Sequence, residues 1–107
     1  MGELNIELVS EADIPMMMAF WSDTPGLGVG NEEESLRDFI RRNPTTCLLA
    51  KSGDSIVSTV LGGFDGRRGY IYHLAVHPNY QRQGWGTKML QEVILRLEEL
   101  KAEKIHL

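Results

Sequence analysis

The sequence predicts an α+β domain over residues 1–107 with the element order β-α-α-β-β-β-α-β. Residues 46–76 contain three β-rich runs separated by two turn sequences, Ser52-Gly53-Asp54-Ser55 and Asp65-Gly66-Arg67-Arg68-Gly69, which is typical of an antiparallel meander. Helical patterns of apolar residues lie on both sides of this meander. A chain of 107 residues is long enough for one domain with one hydrophobic core.

The chain before the meander begins with one strand and one helix. Residues 4–8 alternate apolar and polar side chains, as a half-buried strand does. Asp13 is predicted to cap the first helix, which accepts Pro15 in its first turn. That helix places four apolar side chains on one face: Ile14, Met17, Met18 and Trp21.

A loop and a second helix follow. Residues 24–30 hold one proline and three glycines, which predicts a loop. Asn31 and Glu34 resemble a capping box, and the glutamates at 32–34 favour a helix N-terminus rather than a metal site. Pro44 is expected to end the helix. Its predicted buried stripe is Leu36, Phe39 and Ile40.

The meander and the last helix complete the predicted order. Strands are expected at residues 46–51, 56–64 and 70–76, a long helix at about 84–100, and the start of one more strand at 105–107. The long helix carries an apolar face made of Met89, Leu90, Val93, Ile94, Leu97 and Leu100.

The composition, 42% hydrophobic and 24% charged, is that of an ordinary globular chain. A net charge of -4 argues against general nucleic-acid binding, although Arg67, Arg68, Arg82 and Lys88 leave a local basic patch open. Cys47, the single cysteine, lies in an apolar run, so we expect it buried in a reducing compartment. No signal-like segment or membrane-spanning run is present, which favours a cytoplasmic location without a membrane partner.

The segment from His77 to Leu90 carries the main functional signal. Gly84 and Gly86 lie where a strand-turn sequence meets the long helix, and a helix N-terminus offers free N–H groups to an anion. Arg82 would add a charged donor, and Thr87 a hydroxyl group. Two glycines at this spacing are a weak signal, since close packing of the helix on a strand explains them equally well.

The context of this turn resembles the GCN5-related N-acetyltransferases, the GNAT family. Gln81, Gly84 and Gly86 match the family signature Arg/Gln-x-x-Gly-x-Gly/Ala, and Leu74-Ala75-Val76 matches the preceding strand. The chain is most similar to small bacterial members of the ribosomal-protein-alanine-acetyltransferase type. The resemblance implies the acyl-CoA N-acyltransferase fold, truncated so that the C-terminal helix and the last two strands are lacking.

The resemblance implies acetyl-CoA as donor and a primary amine of a small molecule, peptide or protein N-terminus as acceptor. The strand at 74–76 would pair with the pantetheine arm, and a bulge near Leu74 and Ala75 would leave a slot for the thioester. A backbone N–H near Val76 would stabilise the oxyanion. The implied donor-binding residues are Leu74, Ala75, Val76, Gln81, Arg82, Gln83, Gly84, Trp85, Gly86 and Thr87, the last six through N–H groups that hold the pyrophosphate.

The resemblance transfers no catalytic residue, because the family's usual acid and base would fall after Leu107. Within the chain, His73 is a candidate base and Tyr70 and Tyr72 are candidate acids. The alternatives are a hydrogen-bonded structural histidine and aromatic side chains that serve packing. His77 is expected to be exposed in the turn.

Three functions therefore stay open at this point. The chain is an N-acetyltransferase completed by a dimer, a degenerate domain that binds CoA or a partner without turnover, or an interaction domain with packing glycines. The signature argues against the third. An uncovered sheet edge predicts a homodimer or a complementary chain. The acceptor stays undefined, because a net charge of -4 suits cationic amines of many kinds.

Overall fold

The computed structural model describes residues 5–23 and 33–107, in which one five-stranded sheet carries three α-helices. The strands are β1 (Ile6–Leu8), β2 (Cys47–Ser52), β3 (Ser55–Phe64), β4 (Arg68–Val76) and β5 (Lys104–His106). The helices are α1 (Ile14–Ser22), α2 (Glu33–Arg42) and α3 (Trp85–Glu99), with short 3₁₀ helices at Glu11–Asp13 and Pro78–Tyr80. The predicted order of elements is confirmed. The predicted loop at 24–30, Asn31 of the capping box, and Leu4 lie outside the described residues.

The sheet follows the chain order β1-β2-β3-β4-β5. Neighbouring strands are antiparallel up to β4, whereas β5 runs parallel to β4. A parallel pair needs a crossover connection, and α3 supplies it. The β4–β5 pairing is short, because it joins only Arg68, Gly69 and Tyr70 to Lys104, Ile105 and His106.

Each face of the sheet has its own hydrophobic core, because successive side chains in a strand point to opposite faces. On one face, Met89, Val93 and Leu97 of α3 pack on Leu48 and Val60. On the other face, α1 and α2 cover a second cluster that includes Ile14, Met17, Trp21, Leu36, Ile40, Cys47 and Leu49. The predicted buried faces of all three helices are thereby confirmed, except that Leu100 follows the end of α3 and is 37% exposed.

Cys47 is fully buried in the α1–α2 core, as predicted. Burial raises the pKa of its thiol to about 12. The thiolate is the reactive form of cysteine, so this residue is part of the core and no nucleophile.

Asp13 does not cap α1, which corrects the sequence prediction. Its carboxylate accepts hydrogen bonds from the Ser10 N–H (2.9 Å) and hydroxyl (3.2 Å), and so closes a capping box on the preceding 3₁₀ helix. The Lys51 ammonium donates to the same carboxylate at 2.8 Å. The aspartate therefore ties the start of α1 to β2.

The Asp13 carboxylate makes stability depend on pH. Burial acts to raise its pKa, but hydrogen bonds from Lys51 and Ser10 and the Lys51 charge outweigh burial and leave the pKa below the ordinary 3.8. A carboxylate with a lowered pKa stabilises the fold above its unfolded-state pKa, and this contribution is lost as pH falls through the folded-state value.

We therefore predict that Asp13→Asn lowers the free energy of unfolding by about 1–2 kcal/mol at pH 7. The difference from wild type should shrink as the pH falls below 3.8. Urea titrations across pH measure it, with the exposed Glu98→Gln as the control. An equal deficit at pH 7 and pH 3 would contradict the ionic role of Asp13.

Candidate functional site

The turn between β4 and α3 has a backbone geometry suited to anions. Arg82 (φ 64°) and Gly84 (φ 87°) both adopt the left-handed conformation. Left-handed residues alternating with ordinary ones direct successive N–H groups into one concavity, an arrangement that binds anions. Two glutamine side chains brace the turn, since Gln81 Nε2 donates to the Val76 carbonyl at 3.1 Å and Gln83 Nε2 donates to the Asn79 carbonyl at 3.2 Å.

The backbone N–H groups of residues 82–87 are available to a ligand. The Gln81 N–H donates to the Pro78 carbonyl, and the Lys88 N–H makes the first helical bond, to the Gly84 carbonyl at 3.0 Å. Between them, none of the six N–H groups has an acceptor among residues 5–23 and 33–107. The groups of residues 85–87 belong to the first turn of α3, where the helix dipole adds partial positive charge, and those of residues 82–84 directly precede it. We call residues 82–87 the cradle.

Glycine occupies positions 84 and 86 of the cradle for different physical reasons. Gly84 needs its positive φ, which a residue with a side chain adopts only at a cost. Gly86 lies within α3, and a Cβ placed on it would meet the Val76 Cγ2 at an ordinary 3.8 Å. Close packing of the helix on the strand therefore does not require Gly86. Gly86 lines a cavity in front of the turn, where an added side chain would take up space.

A cavity of about 280 Å³ lies in front of this turn. Seven of the ten predicted donor-binding residues line it: Val76, Gln81, Arg82, Gly84, Trp85, Gly86 and Thr87. The other three, Leu74, Ala75 and Gln83, do not. Tyr80 also lines the cavity, and sequence reasoning missed it, because only the 3₁₀ turn at Pro78–Tyr80 brings its ring to this side.

The predicted basic patch is divided into two parts. Arg67 pairs with Glu103 at 3.1 Å in the turn before β4, whereas Arg82 and Lys88 belong to the turn after it. Nine strand residues separate the two turns, roughly 26 Å of extended chain. Lys88 lies over the Trp85 ring with Nζ 4.8 Å from the ring centroid, and Arg82 has no ion-pair partner in the described part of the chain.

The outer edge of β4 is open next to the cradle. The His77 N–H donates to the Val57 carbonyl at 2.7 Å, which fixes the groups that face β3. Backbone groups of successive strand residues alternate in direction, so the N–H and C=O of Val76 point away from β3. The bond from Gln81 Nε2 reaches the Val76 carbonyl on that outer side. Residues 71–76 have no strand partner on this side within the described ranges.

A β-bulge interrupts β4 at His73 and Leu74. Thr59 pairs with Ala75 and Leu61 pairs with Tyr72, so two residues of β4 oppose the single residue Val60. His73 adopts a left-handed φ of 52°, which is uncommon for a residue with a side chain. The predicted bulge near Leu74 and Ala75 is thus found one residue earlier.

The bulge is held by a chain of hydrogen bonds. The Trp21 Nε1 donates to Thr59 Oγ1 at 2.9 Å, and the same hydroxyl donates to the His73 carbonyl at 3.0 Å. The His73 ring lies 4.5 Å from the Trp21 ring, centroid to centroid. Partial burial lowers the pKa of His73. The expected hydrogen-bonded structural histidine is wrong in detail, because no described residue bonds to its ring nitrogens.

The other candidate side chains make packing contacts. The Tyr72 ring meets Phe39 edge-on at 5.9 Å, and the Tyr70 ring stacks on His106 at 5.3 Å. His77 Nδ1 accepts from the Asn79 N–H at 3.1 Å. Its ring lies between Phe20 and Tyr80, so His77 is half-buried rather than exposed as predicted.

Residues 14–107 match the model of the Acetyltransferase (GNAT) family. The chain belongs to this family. An acetyltransferase of Pectobacterium atrosepticum is 28% identical over 105 residues, which cover 97% of this chain and 74% of that protein. Among the described residues, no group of three His, Cys, Asp or Glu is placed to hold a metal ion. No helix in those ranges has the length and apolar character to cross a membrane.

Solved structures show the same fold. A predicted acetyltransferase from Clostridium acetobutylicum, solved with acetyl-CoA, has a TM-score of 0.72 at 17% identity and covers 98% of this chain and 80% of its own. A Pyrococcus horikoshii protein assigned to the acetyltransferases has a TM-score of 0.72 at 24% identity, over 90% of this chain but 35% of its own. The chain is therefore a GNAT domain that spans part of the length of its relatives.

The contrast between the two glycines predicts opposite effects on stability. Gly86→Ala should raise the free energy of unfolding by about 0.5 kcal/mol, because alanine favours the helix and its Cβ meets only an ordinary contact. Gly84→Ala should lower it by about 1 kcal/mol, because of the left-handed φ. Chemical unfolding of both variants without ligand measures the two changes in the free energy of unfolding. A clear loss of stability in Gly86→Ala would show that packing on the strand requires Gly86 after all.

Proposed function

We propose that this chain transfers an acetyl group from acetyl-CoA to a primary amine of a small molecule, a peptide or a protein N-terminus. Family membership supports acetyl transfer in general. The observation that supports the donor site is the run of six backbone N–H groups at residues 82–87 that have no described acceptor. Five of these six residues line the open cavity.

The cradle fits the pyrophosphate of CoA. Phosphate oxygens accept hydrogen bonds from backbone N–H groups at a helix N-terminus, and the absence of a side chain at Gly86 leaves them room. The exposed Arg82 adds a charged donor at the cavity wall. In this proposal Gln81 and Gln83 act indirectly, since their side chains hold the turn in shape.

The open edge of β4 fits the pantetheine arm. An extended ligand with amide groups can add to an exposed strand edge as if it were another strand. The Val76 N–H points to that edge and lies beside the cavity that begins at the cradle. The arm would run from the cradle past Val76 toward Leu74 and the bulge, which places the thioester at the point where the β4–β5 pairing has ended.

The reaction that this placement supports is direct transfer. The amine nitrogen attacks the acetyl carbonyl carbon, the C–N bond forms, and the C–S bond breaks. The Val76 N–H is the proposed donor to the carbonyl oxygen as negative charge develops there. The acceptor ammonium must first lose a proton, and the released thiolate takes one up. Much of the rate acceleration comes from holding the amine nitrogen and the acetyl carbonyl carbon close together in the right orientation.

Calorimetry with acetyl-CoA tests the donor site. Gly86→Val should weaken binding roughly tenfold or more, equivalent to about 1.4 kcal/mol, because its side chain enters the space in front of the cradle. The matched control is Gln91→Val, which places the same side chain on the exposed part of α3.

Unchanged affinity in Gly86→Val would refute the cradle, and no binding by the wild type at millimolar acetyl-CoA would refute the donor site altogether. Release of free CoA in the presence of a panel of primary amines then measures turnover. Binding without any release would identify a degenerate CoA-binding domain.

Two expectations from the sequence stay predictions. The first is a cytoplasmic protein without nucleic-acid or membrane partners. The second is self-association as a homodimer or with a complementary chain, because an unpaired strand edge attracts partners. Light scattering at high protein concentration measures the second, and a monomer under those conditions would contradict it.

A further inference from the structure

We propose that the imidazole of His73 is the general base that removes the proton from the acceptor ammonium. This inference rests on the proposed function, since it assumes a donor along the outer edge of β4. It assigns to this chain a catalytic residue that acts on the acceptor. It also requires the acceptor to be an amine that binds in its protonated form.

The backbone at His73 is the first observation. A left-handed φ of 52° is strained at a residue with a β-carbon, whereas glycine would adopt it freely. Such strained residues persist where the surrounding structure holds them, and they cluster at functional sites. Here the Trp21–Thr59–His73 hydrogen-bond chain supplies that support.

The surroundings of the ring are the second observation. The bond from Thr59 goes to the backbone carbonyl of His73 and leaves the imidazole without a described hydrogen-bond partner. The ring is half-buried against the Trp21 indole, so it is positioned by packing while its nitrogens stay uncommitted. The His73 nitrogens are not among the buried, unpartnered atoms of the described residues, so an acceptor amine can approach them from solvent.

The position relative to the donor edge is the third observation. His73 immediately precedes Leu74, at the bulge where the proposed arm would bring the thioester. Its ring packs on α1, whereas the Val76 side chain lies with the α3 core and the cradle cavity. The base therefore lies on the α1 face of the sheet while the proposed donor runs along the edge of β4, which lets the acceptor reach the thioester from the α1 face.

The protonation state suits a base. The Trp21 ring of α1 packs against the imidazole, and Thr59 of β3 binds the His73 carbonyl; neither side chain is charged at neutral pH, and burial is the cause of the shift in the pKa of His73. Burial lowers the pKa of His73, so the neutral imidazole, which accepts a proton, predominates at pH 7. The base is lost as the pH falls through that lowered pKa, and the rate should fall with it.

Two other histidines are less suitable. His77 Nδ1 already accepts from the Asn79 N–H, and the ring is held by Phe20 and Tyr80. His106 Nε2 is buried without a partner among the described residues, and its ring is stacked on Tyr70 where β5 pairs with β4. A buried nitrogen inside the paired region has no path to an incoming amine.

The proposed step is balanced. The ammonium of the acceptor transfers one proton to the neutral imidazole of His73, and the free amine then forms the C–N bond as the C–S bond of acetyl-CoA breaks. The nitrogen loses its second proton as it becomes the amide, and this proton passes through solvent to the CoA thiolate. The imidazolium releases its proton to solvent, which restores the starting state.

The test compares two amines in an acetyl-CoA assay. Butylamine is protonated at neutral pH and needs a base, whereas hydroxylamine is largely unprotonated there and does not. His73→Gln should reduce kcat/KM for butylamine about 100-fold or more, the usual contribution of a positioned base, and leave hydroxylamine nearly unchanged. His106→Gln is the matched control and should behave as wild type with both amines.

A second variant guards against an effect on folding. His73→Gly keeps the left-handed backbone without strain and removes the imidazole. Added imidazole should restore butylamine acetylation in His73→Gly and not in His73→Gln, where the side chain fills the space. The wild-type rate with butylamine should level off above the pKa of His73, whereas the rate of His73→Gln should keep rising with the fraction of free amine and show no such break.

Three results would overturn the inference: equal losses with both amines, no imidazole rescue of a folded His73→Gly, or a wild type that binds acetyl-CoA yet acetylates neither amine. Calorimetry with acetyl-CoA distinguishes these three results from a loss of acetyl-CoA binding. Both His73 variants should bind acetyl-CoA as wild type does, and a wild type that binds none refutes the proposed function and the base with it.

Discussion

The parallel pairing of β5 with β4 is the constraint from which the site follows. A strand that runs parallel to its neighbour must be reached by a crossover, and here the crossover is α3. The N-terminus of α3 must therefore lie at the end of β4 marked by Val76. The backbone alone therefore brings free N–H groups, the helix dipole and an open strand edge to one place.

The local conformation of this junction costs stability. Gly86 gives up helix propensity without a packing reason, and Arg82 and His73 both accept a left-handed backbone. Two separate hydrophobic cores, one on each face of the sheet, stabilise the fold and offset this cost. The buried hydroxyl of Thr59 links one of these cores to the bulge, since it joins Trp21 of α1 to His73 of β4.

Much of this arrangement could be predicted from the sequence, because it depends on local patterns. Alternation and turn residues gave the strands of the meander, and the spacing of Met89, Val93 and Leu97 gave the buried face of α3. The Gln81–Gly86 signature located the cradle, and seven of the ten residues named from it line the cavity. Whether the cradle binds CoA stays a prediction.

Features that depend on long-range contacts could not be predicted. Asp13 is drawn from its expected cap by Ser10 and Lys51, and Lys51 is 38 positions away. The His77 ring stacks on Phe20, 57 positions earlier, and is therefore half-buried. The position of the His73 ring follows from a β-bulge, which periodicity does not reveal. The basic residues of the predicted patch share a charge, but they lie at opposite ends of β4 and form no single patch.

A crystal structure of the chain with acetyl-CoA tests the central claim most directly. The account predicts pyrophosphate oxygens within hydrogen-bond distance of N–H groups in residues 82–87, a pantetheine amide paired with the Val76 N–H, and the acetyl group beside the bulge at His73 and Leu74. A CoA molecule bound elsewhere, with the cradle N–H groups facing solvent, would contradict it.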